Sequence, residues 1–425
     1  MLFTSALLVA LPVLVPQGLV PQGLATHIGT PRSAPAAQTP SGEAPTADEV
    51  QKAIHEAALF LLGSQESYKP DPPVGGLSEA ALGKWQAKES QRMAKIRGGA
   101  DAAEWPYEGV YRVRPDGRIP AGYRVGGSAI VAEALLNSGL EGEPLKEARQ
   151  AVQRTISFVI EQMDSNEELS RGPKAGYDVR GWGHAYAIQL MLLALDHGLV
   201  EGDEAEEARE LIVDLLDRLQ ANMTKQGGWN YAGEGSVSPF MTGATLLILF
   251  DAKAHGFEVD AEMVNSALEG LEKGTTDAMI YAYAGRAGRR VKMPASSARS
   301  SIATLALYKA GRKTQDDLRL AVQGFFDGWD DLLVRKSQQG THIPPYNIAP
   351  YYFFFGHTYA AMAIEELPDG EKEARRGELA GLLWKTREED GTWNDRIFPR
   401  TSSYSTAMSI LALRAPELEA IPVWE

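Results

Sequence analysis

Two kinds of helical pattern alternate along most of this chain. One kind is apolar on almost every face, as in GHAYAIQLMLLALDHG (183–198), and the other carries a single apolar stripe. In EAEEARELIVDLLDRLQ (204–220), Leu211, Leu215 and Leu219 form such a stripe among Glu and Asp residues. A helix that is apolar all round is typical of a buried position, whereas a single stripe is typical of a helix with one face in solvent.

The apolar pattern recurs six times at a near-constant spacing. Aligned on equivalent positions, the runs are separated by steps of 57, 59, 57, 57 and 47 residues. They are GGSAIVAEALLNSG (126–139), GHAYAIQLMLLALDHG (183–198), TGATLLILFDAKAHG (242–256), RSSIATLALYKAG (299–311), GHTYAAMAIEEL (356–367) and SYSTAMSILAL (403–413). A period of this kind is typical of a repeat architecture.

Amphipathic helices fill the intervals between the apolar runs. They are predicted over 47–64, 144–163, 204–222, 260–273, 314–335 and 371–386. Six half-exposed helices that alternate with six buried ones predict an all-α fold with an outer and an inner ring. The sequence therefore predicts an α/α toroid over residues 47–425, a closed barrel of six outer and six inner helices, with an insertion at about 65–123.

The first 46 residues have a different composition. Leu2 to Val15 form an apolar run that is too short for a membrane span and typical of a signal peptide. Residues 26–46 are rich in Pro, Ala, Ser and Thr, which is typical of a disordered linker. We therefore expect a signal peptide over 1–25, a linker over 26–46, and a mature protein that is exported to the periplasm or the cell exterior. No later stretch predicts a membrane span.

Composition excludes several functions. The 425 residues carry a formal net charge of −14, which argues against nucleic acid as a partner. The chain has no cysteine, so it has neither disulfides nor thiolate metal ligands. No cofactor and no metal site are predicted.

Tryptophan follows glycine in two connections between an outer and an inner helix. These are QGGWNYAG (226–233) and EDGTWNDR (389–396). Glycine permits the tight turn, and we expect Trp229 and Trp393 to pack their rings over helix ends and join neighbouring repeats. The same structural role is predicted for Trp182.

These tryptophan segments resemble a known family. LQANMTKQGGWNY (219–231) and LLWKTREEDGTWND (382–395) resemble the QW-type repeats of prenyltransferase and squalene oxidase repeat proteins. YYFFFGHTYAAMA (351–363) and EWPYEGVYRV (104–113) resemble exported bacterial members of that group. The resemblance implies the α/α toroid of terpenoid cyclases and of protein prenyltransferase β subunits.

The chemistries that this resemblance implies lack their residues here. Class II terpenoid cyclases use a DxDD motif, and the nearest string is DGWDD (327–331), which has the wrong spacing. Asp316 and Asp317 are followed by LRL, so no DDxxD motif is present either. Protein prenyltransferases bind zinc through a cysteine, which this chain does not have.

Side chains near the start of each inner helix are expected to converge at one mouth of the barrel. His184 and His357 occupy equivalent places in GHAY and GHTY, and they could meet across the lumen or simply cap their helices. Tyr186, Asp178 and Arg180 are the other catalytic candidates, although Tyr186 is equally explained as a core tyrosine. Nine further residues are predicted to line the mouth, namely Tyr231, Glu234, Arg299, His342, Tyr346, Tyr351, Asp395, Arg396 and Tyr404.

Three functions remain open at this point. Loss of the family's catalytic motifs favours a toroid that binds a small molecule, a glycan or a protein. The alternative is an exported polysaccharide lyase or hydrolase that acts at the barrel mouth, with Asp178 and Glu234 as a carboxylate pair. A further alternative is an isoprenoid-processing enzyme with altered motifs.

Overall fold

The computed structural model describes most of the chain beyond the N-terminal segment. The described residues are 45–68, 78, 80–81, 83–85, 87–88, 102–105, 107, 119–172, 179–231, 236–286, 291–336, 352–395 and 401–425. All of them belong to one compact unit, residues 42–425. The predicted signal peptide (1–25), the predicted linker apart from Pro45 and Thr46, and much of the predicted insertion (65–123) lie outside the described residues.

The described residues contain thirteen α-helices with assigned bounds and one pair of short strands. In chain order they are α1 (Ala47–Gly63), β1 (Glu66–Ser67), β2 (Ala103–Glu104), α2 (Ala121–Leu136), α3 (Gly142–Ser165), α4 (Arg180–Asp196), α5 (Asp203–Ala221), α6 (Pro239–Ala254), α7 (Ala261–Lys273), α8 (Met293–Lys309), α9 (Gln315–Asp327), α10 (Trp329–Arg335), α11 (Tyr352–Ile364), α12 (Asp369–Trp384) and α13 (Ser402–Arg414). β1 and β2 pair antiparallel, with Glu66 opposite Glu104. Single turns of 3₁₀ helix follow α3 (Glu167–Leu169) and α13 (Ala415–Glu417).

Six helices form a closed inner ring. Helix α2 packs against α4, and the chain of contacts continues through α6, α8, α11 and α13, which returns to α2. Helices α1, α3, α5, α7, α9 and α12 lie outside this ring and pack against its members. The prediction of an all-α toroid with six outer and six inner helices is confirmed.

Burial follows the two sequence patterns. Every residue of α2 except Tyr123 is buried, as expected for a helix with neighbours on all sides. The buried residues of α5 are confined to one stripe that contains Leu211, Leu215 and Leu219. Hydrophobic periodicity therefore places each helix in the correct ring.

The inner helices begin earlier than their apolar runs suggest. Helix α8 begins at Met293, whereas its apolar run was placed from 299. Ser296, Ser297 and Ser300 in its first turns are fully buried, because small hydroxyl side chains fit between closely packed helices. The outer helix predicted over 314–335 is two helices, α9 and α10, because α9 ends at Gly328.

Trp229 ties the end of one outer helix to the next inner helix. Its indole Nε1 donates to the Leu219 carbonyl of α5 at 2.8 Å, which satisfies a helix-end acceptor. Its backbone N–H donates to the hydroxyl oxygen of Thr242 on α6 at 2.9 Å, and that hydroxyl donates back to the Trp229 carbonyl. Gly227 makes the turn possible, since its φ of 84° is a conformation that other residues rarely adopt.

The same arrangement recurs at Trp393. Its indole donates to the Leu383 carbonyl at 3.0 Å, and its backbone nitrogen bonds Thr406 at 3.1 Å. Gly391 has a φ of 84°, like Gly227. Trp105, for which the sequence had not predicted this role, makes equivalent bonds to Leu61 at 2.8 Å and Ser128 at 2.9 Å. The tryptophan repeat is a structural joint between outer and inner helices.

Trp182 differs from this pattern. It lies within the first turn of α4 and stacks on Phe240 with ring centroids 5.3 Å apart. Its indole nitrogen has no hydrogen-bond partner among the described residues. A side chain at Gly126 would occupy the place of the Trp182 ring, so this glycine lets α2 and α4 pack around it. Trp182 therefore fills the lumen rather than joining two helices.

We predict that Trp229→Phe lowers the free energy of unfolding by about 1–2 kcal/mol, because the Leu219 carbonyl keeps only its backbone donor, the Asn222 N–H, and the smaller ring leaves space in the joint. Trp393→Phe should have a similar effect. Trp384 provides the control, since it is partly buried and its indole nitrogen makes no hydrogen bond within the described part of the chain. Urea unfolding of the three variants measures the difference, and an equal loss in Trp384→Phe would contradict the assigned role.

Candidate functional site

A cavity of about 190 Å³ occupies the lumen at the end where the inner helices finish. Its walls come from five of the six inner helices and from the chain that follows α13. The polar lining residues are Glu133, Asn137, Tyr186, Gln189, Asp196, His197, Asp251, His255, Thr358, Tyr359 and Glu419. Aliphatic side chains such as Leu193, Leu247 and Met362 complete the wall.

Glu133 is the most deeply buried acid of this cavity. It lies in the otherwise apolar helix α2 and is only 8% exposed. Gln189 Nε2 donates to its Oε1 at 2.9 Å, while Oε2 has no partner among the described residues. Burial, together with the nearby charge of Asp251, raises the pKa of Glu133 to about 8. Glu133 therefore carries a proton at neutral pH and can donate it.

A second group of ionisable residues lies across the cavity from α2. His255 Nε2 is 3.0 Å from Asp196 Oδ2, and its Nδ1 is 3.3 Å from Asp251 Oδ1. Burial opposes a charge on His255, but the Asp251 carbonyl and the two carboxylates outweigh it and raise the His255 pKa. Burial also raises the pKa of Asp251, and His255 offsets part of that shift. Asp251 is thus a partly buried carboxyl group in contact with an imidazole whose pKa is raised.

A layer of aromatic rings closes the cavity on the opposite side. The hydroxyls of Tyr186 and Tyr359 meet at 2.9 Å and form its floor. Beneath them, Tyr186 packs on Trp182 with centroids 4.6 Å apart, and Tyr359 packs on Phe355 at 4.5 Å. Phe240 fills the space between Trp182 and Phe355. These rings separate the cavity from the barrel mouth at the start of the inner helices.

The chain after α13 covers the open side. Residues 418–422 line the cavity, and Trp424 anchors them on the far side of the ring. The Trp424 ring lies 5.5 Å from Phe250 and 4.1 Å from Lys253 Nζ, and its backbone nitrogen donates to the Lys309 carbonyl at 2.9 Å. Because α13 and α6 are three places apart in a ring of six, this C-terminal strap crosses the barrel.

The two predicted catalytic histidines do not meet across the lumen. His184 contacts the Leu169 carbonyl at 2.8 Å and Asn222 at 3.2 Å, both of which lie outside the inner ring. His357 accepts from the Trp329 indole at 2.8 Å and contacts the Phe353 carbonyl. Burial lowers the pKa of His184 to about 3 and that of His357 to about 4, so both are neutral.

Repeat alignment left the helix rotation open, and the structure favours the alternative in which each histidine bonds a neighbouring carbonyl. Residues two positions apart on a helix point about 200° apart. Since His184 and His357 face the outer helices, Tyr186 and Tyr359 face inward, and these are the side chains that meet. The described contacts give the histidines structural roles.

The other predicted mouth residues are tightly packed where the structure describes them. Arg180 donates to the carbonyls of Ser170 and Gly172, and Arg299 donates to those of Tyr281 and Ala282. Tyr231 bonds Tyr283 through its hydroxyl. Tyr404 stacks on Tyr107 at 4.2 Å, and Asp395 is fully buried, with its backbone nitrogen bonded to Ser405.

Six predicted residues lie outside the described residues. They are Asp178, Glu234, His342, Tyr346, Tyr351 and Arg396, and their predicted roles remain predictions. A cleft of about 20 Å³ lies between the described mouth residues, lined by Trp182, Tyr231, Phe240, Tyr404 and four neighbours. The cavity of about 190 Å³ lies at the other end of the inner helices.

Sequence reasoning missed Glu133, Gln189, Asp196, Asp251 and His255. A signal for them was present, because Glu133 and Asp251 are single carboxylates inside runs of apolar residues. A charged residue is rarely buried without a partner or a function, so each was a candidate. The sequence-based prediction placed the candidate residues at the start of the inner helices, whereas this cavity lies where those helices end.

Two negative findings bear on the site within the described residues. They include no group of three or more His, Asp or Glu side chains placed to hold a metal ion. No helix in that part of the chain is both long and apolar enough to cross a membrane.

Comparison with known proteins supports the fold. No protein-family model matches this sequence, and no curated protein matches it either. Among solved structures, the chain is similar to an unsaturated glucuronyl hydrolase from Streptococcus agalactiae, with a TM-score of 0.51 and 10% identity over 89% of this chain and 95% of that chain. It is also similar to the unsaturated glucuronyl hydrolase of Bacillus sp. GL1, responsible for the degradation of glycosaminoglycan, with a TM-score of 0.51 and 12% identity over 88% and 98%.

At these identities the similarity shows a shared fold and nothing narrower. The α/α toroid implied by the resemblance to prenyltransferase repeats is supported. The assignment to prenyltransferases or squalene cyclases is not, because these structural neighbours are glucuronyl hydrolases.

We predict that Glu133 makes stability fall as pH rises. Its pKa is about 8 in the folded chain and near the ordinary glutamate value of 4.5 when unfolded, so only the unfolded state ionises between these values. The stabilisation is complete below pH 4.5 and is lost by about pH 8. Relative to Glu133→Gln, the native protein should therefore lose several kcal/mol between pH 5 and pH 8.5. Urea unfolding of both proteins at each pH measures this, and a constant difference would contradict a raised pKa.

We also predict that Trp424→Ala loosens the strap. Few backbone hydrogen bonds hold residues 418–423, so the Trp424 ring supplies much of the anchor. Amide hydrogen exchange at 418–424 should rise at least tenfold, with little change elsewhere. Val423→Ala is the control, because Val423 is 58% exposed. Equal exchange in the two variants would show that Trp424 is not the anchor.

Proposed function

We propose that this protein is a glycan-processing enzyme of the hydrolase type, with the luminal cavity as its active site. One observation carries the proposal: the cavity holds a buried carboxyl, Glu133, whose pKa is raised to about 8, and a second carboxyl, Asp251, whose Oδ1 lies 3.3 Å from His255 Nδ1. Pairs of carboxyls with different protonation states are what glycoside hydrolysis needs. A water molecule takes up about 30 Å³ of the liquid, so this cavity accommodates a molecule about the size of one sugar ring.

The reaction follows from these two roles. Glu133 donates its proton to the glycosidic oxygen as the bond to the anomeric carbon breaks. Asp251 accepts a proton from a water molecule, whose oxygen then bonds to that carbon. Gln189 holds Glu133 Oε1, and His255 orients Asp251 from the other side. The aromatic layer below the cavity limits access of bulk water to the reacting atoms.

The fold gives secondary support. Two structural neighbours with the same toroid are named as unsaturated glucuronyl hydrolases, which favours a polysaccharide hydrolase over an isoprenoid-processing enzyme. A fold hosts many chemistries, so the carboxyl pair carries the proposal and the neighbours do not.

A binding toroid without turnover is the second candidate. The strap covers the cavity, and aromatic packing closes the described mouth, which suits a protein that retains a ligand. We further propose that residues 1–25 direct export, so that the mature protein meets its glycan in the periplasm or outside the cell.

We predict that Glu133→Gln and Asp251→Asn each reduce glycoside hydrolysis at least a hundredfold, because each removes one proton-transfer step. The measurement is sugar release from a panel of neutral, amino and acidic glycosides. Activity of the native protein should fall above about pH 8, where Glu133 loses its proton. Glu143→Gln, on the exposed surface of α3, should behave like the native protein.

Full activity of Glu133→Gln would remove the proposed acid. Tight glycan binding with no turnover of any substrate, by the native protein as by the variants, would instead favour the binding toroid.

A further inference from the structure

The charges around the cavity are strongly one-sided. Four carboxyl groups line it, from Glu133, Asp196, Asp251 and Glu419. The basic side chains in its lining are His197 and His255, and no Lys or Arg belongs to the described lining. His255 lies between two of the acids and balances at most one of them. Glu133 is protonated at neutral pH, so the negative charge comes from the other three carboxyl groups, and the wall has an excess of negative charge.

The cations at this end of the barrel are engaged elsewhere. Lys253 lies against the Trp424 ring, and Lys309 pairs with Glu366 at 2.9 Å. Arg149 donates to the His197 carbonyl at 2.8 Å, which faces it away from the cavity lining. Arg414 donates to the Asn137 carbonyl at 3.0 Å and lies 3.7 Å from Glu417. None of these four side chains lines the cavity, so none of them is positioned there to meet an anionic ligand.

The Glu133 carboxyl can bond a ligand in this cavity. Glu133 is more than nine-tenths buried, and its Oε2 makes no hydrogen bond to the described residues. A ligand hydroxyl or amine can supply a partner for that oxygen. A ligand carboxylate would add a further negative charge to a region of reduced water access, where like charges repel strongly.

We propose that the cavity takes a sugar that is uncharged or carries an amine, and that it rejects sugars with a carboxylate. The claim that the ligand is a sugar rests on the proposed function, whereas the charge preference rests on the cavity itself. This specificity differs from that of the structural neighbours, whose names specify a glucuronyl group. Fold similarity at 10–12% identity does not indicate whether two proteins bind substrates of the same charge.

The test uses three matched ligands that differ in one group. Calorimetry with glucose, glucosamine and glucuronic acid, and with oligosaccharides that end in each, gives the affinities for the full-length mature protein. We expect the neutral and amino sugars to bind at least tenfold more tightly than the uronic acid at low salt. Added salt should narrow that gap, because charge repulsion is screened.

Reversing one charge in the C-terminal strap tests whether charge repulsion causes the weaker binding of the uronic acid. Glu419 is an exposed residue of the strap that belongs to the cavity lining, and it takes no part in the proposed proton transfers. Glu419→Lys should tighten binding of glucuronic acid severalfold and leave glucose unchanged. Glu373→Lys, on the exposed face of α12, makes the same change in net charge away from the cavity and should alter neither ligand.

The outcomes separate the two proposals. If the protein hydrolysed glucuronides faster than neutral or amino glycosides, the proposed charge preference would be wrong and the proposed hydrolase activity would stand. Selective binding of neutral or amino sugars without turnover would support the charge preference and contradict the hydrolase. Equal binding of all three sugars, or an equal effect of Glu419→Lys and Glu373→Lys, would also overturn the charge preference.

Discussion

Closure of the inner helix ring is the constraint on which the rest of this structure depends. Once α13 returns to α2, every polar group that an inner helix turns toward the lumen needs a partner inside the barrel. Serine and threonine hydroxyls do so by bonding the tryptophan joints or their own helices. Glu133 has only Gln189, and its raised pKa follows from that isolation. The ring of inner helices that stabilises the fold thus also raises the pKa of Glu133.

The fold could be predicted from the sequence because the two helical patterns report burial directly. Runs that are apolar all round became inner helices, and Trp229 and Trp393 became the joints that their glycines suggested. The site could not be predicted with the same success. The repeat alignment placed His184 and His357 at equivalent positions of their helices. A shift of two positions along a helix, however, decides whether a side chain faces the lumen. Periodicity in fully buried helices does not fix rotation, since no face is marked by polar residues.

The end of the barrel at which the cavity lies was the second feature that the sequence did not predict. Helix N-termini suggested a site at the end where the inner helices begin, and in the described residues that end is filled by Trp182, Phe240 and Phe355. The cavity lies at the other end, where Asp196, Asp251 and His255 come from the last turns of α4 and α6. Its cover, the strap after α13, is a long-range contact that no local pattern encodes. Single acids within apolar runs were the signal that identified the right residues.

The central claim is that Glu133 carries a proton at neutral pH inside the lumen, and infrared difference spectroscopy tests it most directly. A spectrum of the native protein at pH 7 minus that of Glu133→Gln reports the carbonyl stretch of a protonated carboxyl group. We predict that this band is present at pH 7 and disappears as pH rises through about 8. A difference spectrum that shows only the bands of an ionised carboxylate at pH 7 would contradict the account and remove the proposed acid.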